Sequence, residues 1–231
     1  MGYHRAGFDV VGVDLFKHHN AKGQLVGFSQ KRYPFPSHQG DALEFVRAHG
    51  ADFDAIHASP PCQHASAGTR ARDRSEYPAL IEDTRAALVA TDKPYVIENV
   101  EGSDLHDPVT LCGTMFGLTA IDTDGTPLEL RRHRCFESNF AIPDHMACEH
   151  GRYSKQVAGC YGGARSDKHE ARHERHGGYV PKSKRVLSDL MRIDWMTKGG
   201  MYQALPPIYT EWVGCQLHQL LDRKPPRYSS E

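Results

Sequence analysis

A thiol, a carboxylate and two guanidinium groups stand at the ends of short apolar runs in this chain, and together they could carry nucleophilic chemistry. Residues 53–63 read FDAIHASPPCQ. Phe53, Ala55, Ile56 and Ala58 suit a buried parallel strand, and Ser59, Pro60 and Pro61 end it, because proline cannot donate to a ladder. Cys62 follows at once. Ligands of open α/β sheets bind at the carboxyl ends of strands, so a thiol on a rigid Pro-Pro turn there is placed to act as a nucleophile. The position suits a buried structural cysteine equally well, and thiol acidity and exposure decide between the two. A second apolar run, residues 95–100 (YVIENV), ends in Glu98 and Asn99. Residues 130–136 (LRRHRCF) carry Arg132 and Arg134 two positions apart, which predicts a strand with both on one face.

The elements that must position these groups follow in chain order. A helix end at residues 3–6 stops at Gly7, and a strand over 9–13 leads to Asp14. In a nucleotide-binding βαβ unit an acidic residue in that place hydrogen-bonds a ribose hydroxyl; an Asp capping the next segment fits as well. Residues 16–36 read as an exposed polar insertion. Asp41 is a good N-cap for a helix over 43–49. The stretch 63–75, with Arg70, Arg72 and Arg74, reads as a basic surface loop, and 78–91 as a helix packed on the sheet. A right-handed crossover from that helix leaves Glu98 and Cys62 at one sheet edge. Residues 109–118 look like a short segment returning to the sheet. Residues 141–184 lack periodicity, 187–195 form a brief amphipathic helix, and 209–221 form the last helix before a polar tail.

PPCQ at 60–63, then ENV at 98–100, then the Arg132-x-Arg134 pair, in that order, resembles the DNA (cytosine-5)-methyltransferase family over about residues 2–217. The resemblance implies an α/β fold, a doubly wound Rossmann-like sheet with a small irregular target-recognition lobe. It implies a catalytic core over 1–140, a recognition region over 141–185 and a segment over 186–231 returning to the core. The family's first strand and glycine-rich loop would precede the helix at Tyr3. The expectation is therefore an N-terminally incomplete sheet, either from a start placed too late or from a truncated protein. By the same resemblance Cys62 is the nucleophile toward cytosine, Glu98 contacts the base and Arg134 holds its O2. Arg132 steadies the loop, and Asn99 positions the Cys62 turn. S-adenosyl-L-methionine is the implied methyl donor, held by Asp14, Asp41, Ala42, Pro60, Tyr209 and Thr210. Within residues 204–214 (ALPPIYTEWVG), PPIYTEWVG matches the family's last motif only loosely, since its Gly-Asn-Ser wording is absent. The implied partner is double-stranded DNA, with a restriction endonuclease acting separately, in the cytoplasm of a bacterial or phage-infected cell.

Composition limits these readings without choosing among them. A chain of 231 residues with formal net charge −1 suits one sizeable domain, or one domain with a small appended lobe, and its bulk charge does not announce a nucleic-acid partner. Lys and Arg outnumber Asp and Glu between residues 151 and 192, which suits contact with phosphates or a solvated loop. The six cysteines (62, 112, 135, 148, 160 and 215) lack paired C-x-x-C spacing. Cys148, His150 and Cys160, with Cys135 as a fourth, are a tempting zinc set, but without that spacing no metal is expected. No signal-peptide core or membrane-length apolar run is present, so a reducing, cytosolic setting is expected; a monomer is the expected state. Two other functions compete: a catalytically silent DNA-binding remnant of such an enzyme, and a thiol hydrolase using Cys62 with His57 or His64.

Overall fold

The computed structural model of the protein describes residues 1–15, 18–19, 25–26, 34–62, 79–143, 147–150, 156–160 and 179–221. Mixed α and β elements fill them. The helices are α1 (Gly2–Arg5), α2 (Ala42–His49), α3 (Ile81–Val89), α4 (Lys184–Met191), α5 (Lys198–Gln203) and α6 (Pro207–Leu220). The strands run β1 (Gly12–Asp14), β2 (His18–His19), β3 (Leu25–Val26), β4 (Ser37–Gln39), β5 (Ile56–Ala58) and β6 (Tyr95–Asn99). They continue as β7 (Val109–Leu111), β8 (Thr119–Ile121), β9 (Pro127–Glu129), β10 (Arg134–Ser138) and β11 (Gln156–Val157). By contact the chain divides into two compact units, one of Met1–Phe8, Leu111–His133 and Asp144–Glu231, the other of Asp9–Thr110 and Arg134–Pro143.

The second of these, the Cys62 unit, is built on a strand–helix–strand motif. Strand β6 pairs with β5 in parallel, Ile56 opposite Tyr95 and Ala58 opposite Ile97, and helix α3 connects them. All five residues of β6 are buried, as its unbroken apolar run predicts for a strand covered on both faces. Leu88 of α3 packs with Tyr95 and Ile97, and Val46, Ile56, Ala58 and Leu105 close round them. Strand β10 then joins antiparallel to β6, giving the sheet order β5-β6-β10-β7. A separate parallel pair joins β1 to β4, Asp14 opposite Gln39. Helix α2 begins where the sequence predicts. Asp41 Oδ1 accepts the backbone N–H groups of Leu43 (2.8 Å) and Glu44 (3.0 Å), satisfying two donors that a helix start leaves open. The insertion at 16–36 contributes the antiparallel pair β2–β3 and, at its end, the Pro36 carbonyl oxygen that accepts the Gly12 N–H at 2.9 Å.

The other unit has a three-stranded sheet in the order β11-β9-β8. Its hairpin turns through Asp122-Thr123-Asp124-Gly125, where Gly125 takes φ of 87° at no side-chain penalty. Helix α4 buries Val186, Leu187, Leu190 and Met191, starts on a Ser183 cap and stops at Arg192 in the left-handed conformation. Pro207 opens α6 at a position where a missing N–H does no harm. Helix α1 lies close against α6: a Cβ on Gly214 would stand 2.7 Å from Ala6 Cβ. The single strand predicted for residues 130–136 does not form. Strand β10 starts at Arg134, and Arg132 precedes it in non-strand backbone, so the two arginines do not share a strand face.

Candidate active site

Cys62 lies four residues past β5 and is half-buried. Its turn is anchored from the neighbouring strand. Asn99, the last residue of β6, donates from Nδ2 to the Pro60 carbonyl oxygen at 3.0 Å. Its Oδ1 accepts the N–H of Val100 at 2.9 Å. One amide side chain therefore fixes both the Pro-Pro turn and the chain leaving β6, and proline suits the first role because its ring already restricts the backbone. The parallel register explains why the contact forms. Ala58 stands opposite Ile97, so both chains leave the sheet at the same edge within a few residues.

Glu98 sits at that edge beside Asn99. The antiparallel register with β10 sets Phe136 opposite Glu98, and Arg134, two residues along, shares its face. Arg134 Nε meets Glu98 Oε1 at 3.0 Å, with both side chains largely buried (14% and 9% exposed). A guanidinium–carboxylate pair in such surroundings is held by charge and hydrogen bonding together. Removing one member would leave the other charge buried. The Cys62 unit thus gathers a thiol on a braced turn, a buried carboxylate and its arginine. Such a set can add a sulfur nucleophile to an electron-poor carbon and stabilise the charge displaced.

Arg132 belongs to the other unit and is nearly fully buried there. Its Nη1 donates to the Cys160 carbonyl oxygen, and its Nη2 to that of Tyr202 at 3.0 Å. The Tyr209 hydroxyl donates to Arg132's own carbonyl oxygen at 2.9 Å, and the Tyr209 ring lies 5.4 Å from that of Phe116. Thr210 Oγ1 donates to the Pro207 carbonyl oxygen (3.2 Å), within the first turn of α6. Among the residues expected to hold a cofactor, Asp14, Asp41, Ala42 and Pro60 are therefore in the Cys62 unit, while Tyr209 and Thr210 are in the other. Asp14 ends β1 and Asp41 follows β4, which runs parallel to it. Both carboxylates stand at the carboxyl end of that strand pair, where α/β proteins receive nucleotides.

His57, on β5, has its Nε2 3.0 Å from Ser59 Oγ, and burial pushes its pKa from 6.5 down to about 4. It is neutral at physiological pH. His64 and the basic loop at 63–75 lie outside the described residues, as do 161–178 of the expected recognition region.

Sequence reasoning missed one constellation. Cys112, His133, Cys148 and His150 bring their ligand-type atoms within 4.8 Å of one another, all in the unit that contains Arg132. Cys160 and Cys135, which the sequence sets beside Cys148 and His150 in a zinc reading it disfavours, are not in this cluster. Cys160 is buried elsewhere in that unit, with its carbonyl oxygen on Arg132. Cys135 lies in the Cys62 unit beside Thr110 Oγ1 (3.5 Å), its thiol pKa raised by burial. The Cys148-x-His150 pair was the available signal, but its partners lie far back in the chain. Neither the protein-family models nor the curated proteins compared with this chain give a match.

Proposed function

We propose that this chain is a DNA (cytosine-5)-methyltransferase with a Rossmann-like methyltransferase core and a small target-recognition region. The observation that carries the reading is the Asn99 bond to the Pro60 carbonyl. It joins the PPCQ and ENV segments at one sheet edge, next to the Glu98–Arg134 pair. Cytosine C5 is a weak nucleophile. Cys62 Sγ, as thiolate, adds to C6 and leaves an enamine-type carbon at C5, splitting one hard step into two easier ones. Glu98 hydrogen-bonds the base at N3 and its exocyclic amine, and Arg134 faces O2 while holding the Glu98 carboxylate. Asn99 keeps the sulfur aimed by bracing its turn. S-adenosyl-L-methionine supplies an electrophilic methyl group, and Asp14 and Asp41 suit its ribose and adenine. After transfer the C5 proton leaves to solvent and the Cys62–C6 bond breaks, restoring the thiolate. A base inside a duplex is out of reach of such a site, so the target nucleotide must be turned out of the stack at a cost of a few kcal/mol.

The test is methyl transfer from labelled S-adenosyl-L-methionine to unmethylated DNA of varied sequence. It is run with the 231-residue chain, with the reading frame extended upstream of Met1, and with Cys62→Ser in each. Label in cytosine that vanishes with Cys62→Ser is the expected result. DNA binding without label from either form would mark a silent binding protein instead. Label that survives Cys62→Ser would overturn the mechanism.

A further inference from the structure

We propose that Cys112, His133, Cys148 and His150 form a structural Zn²⁺ site. The inference does not depend on the methyltransferase reading. Cys112 Sγ stands 3.3 Å from His150 Nε2. His133 Nε2 stands 3.2 Å from His150 Nε2, and Cys148 Sγ stands 3.5 Å from His133 Nε2. A tetrahedron with zinc–nitrogen bonds near 2.0 Å and zinc–sulfur bonds near 2.3 Å has edges of roughly 3.3–3.8 Å. The three distances match those edges, and the remaining ones stay within 4.8 Å. All four atoms therefore lie close enough together for a single ion to draw them into one coordination shell. In a two-iron cluster with histidine ligands the two nitrogens sit on a different metal from the two sulfurs. That arrangement would hold cysteine and histidine atoms farther apart than 3.3 and 3.5 Å.

The surroundings support a built site. Cys112 is fully buried and precedes Gly113, whose N–H donates to the Arg131 carbonyl oxygen at 3.3 Å. A Cβ on Gly113 would meet the Leu130 carbonyl oxygen at 2.2 Å, so only glycine lets the chain after Cys112 come this close to the chain before His133. Thr114 Oγ1 lies 3.2 Å from Cys112 Sγ and can donate to it as thiolate, the kind of outer contact that fixes a ligand. The rings of His133 and His150 stack at 5.0 Å with both Nε2 atoms turned inward. Cys148 and His150 are exposed. Exposed side chains surrender rotamer freedom to converge on a buried thiol, and metal coordination is strong enough to offset that loss.

Binding balances simply. Both thiols release a proton to solvent, including the one Cys112 now donates to the Arg131 carbonyl oxygen at 2.9 Å. The two histidines bind through neutral Nε2, and two thiolates neutralise the dication. Four protein ligands leave no open position, so the role is structural. The ligands also mark where the chain enters and leaves this unit: Cys112 follows its resumption at Leu111, His133 is its last residue before Arg134, and Cys148 and His150 come soon after Asp144. The ion would tie these separate stretches of the one unit together.

The experiment measures metal content of the full chain purified without a histidine tag, followed by Co²⁺ substitution. The expected result is about one zinc per chain, and a cobalt spectrum of a tetrahedral thiolate–imidazole centre. Cys148→Ser with His150→Ala, both at exposed positions, should lose the zinc while the chain stays folded by circular dichroism. Cys215→Ser, outside the cluster, should keep it. Folded wild-type chain that takes up no more zinc or cobalt than the double variant would overturn the proposal, as would the absorbance of an iron–sulfur cluster.

Discussion

Asn99 shows how one side chain can set a candidate site. Its amide bonds both the Pro60 carbonyl oxygen and the Val100 N–H, so it acts on Cys62 through the turn rather than by contact with substrate. Asn99→Ala should lower stability by only about 1 kcal/mol, the net worth of an ordinary hydrogen bond. A misplaced nucleophile can lose on the order of 100-fold in rate, so kcat should fall by roughly 10- to 100-fold with KM for DNA little changed. Steady-state methyl transfer alongside a denaturant melt separates the two effects. A fall in stability with unchanged kcat would make Asn99 a purely structural residue. Arg134→Ala is the harsher change, because it leaves Glu98 buried without this partner; removing one member of a buried pair costs about 3–5 kcal/mol. Its denaturation midpoint should fall accordingly.

Among elements, α3 and β10 meet through a polar contact with closely set geometry. Arg85 on α3 reaches Glu137 on β10 with Nε on Oε1 (2.7 Å) and Nη2 on Oε2 (2.9 Å), and Nη2 also donates to the Asp104 carbonyl oxygen at 2.7 Å. Glu137 Oε2 further accepts the His106 N–H at 2.8 Å. The bidentate geometry fixes helix, strand and the loop after β6 in one arrangement. Glu137→Ala removes the bidentate partner of Arg85 but leaves it Glu82 and the Asp104 carbonyl oxygen, so the cost should fall below the about 3–5 kcal/mol of an orphaned buried charge, read as a lowered urea midpoint. The α1–α6 contact is tested by the opposite change, an added methyl. Gly214→Ala must displace Ala6 from 2.7 Å, and such overpacking costs about 1–3 kcal/mol. A thermal melt that does not move would mean α1 leaves α6 cheaply.

At the scale of the whole molecule, the perturbed groups set the response to acid. Burial drives the His57 pKa from 6.5 to about 4. The unfolded chain therefore binds that proton first, and stability falls as pH drops from 6.5 toward 4. For Glu137, burial works to raise the pKa, but Arg85 and the His106 N–H outweigh it and hold the carboxyl below its ordinary 4.5. Burial likewise acts to raise Asp122, and the N–H groups of Lys182 and Thr123 bring it below 3.8. Depressed carboxylates stabilise above their unfolded pKa, and that contribution disappears as pH falls through the folded one. Urea midpoints measured from pH 7.5 to 3 should decline in two stages, the upper absent in His57→Gln and the lower reduced in Glu137→Gln. A flat midpoint between pH 7 and 5 would show that His57 does not carry the upper stage. Among the described residues no helix is long and apolar enough to cross a membrane.

The sequence by itself determined the local elements whose signals are short-range. The apolar run at 95–100, the proline break at 59–61 and the Asp41 cap each declare themselves within a few residues, because strand burial, ring-restricted backbone and helix capping are local effects. The turn through Asp124-Gly125 is equally local, since a flanked Asp-Gly is a hairpin signal. Tertiary structure alone decided the destinations of Arg132 and Arg134. Two residues of spacing puts both on one face only if the strand includes both, and burial of Arg132 against Cys160 and Tyr202 ends it first. The same holds for Cys112 and His133, separated in sequence from Cys148 and His150 and joined only by the fold. Ligand geometry depends on where chains pass one another, and spacing along a single chain records that only when the ligands share one turn or hairpin.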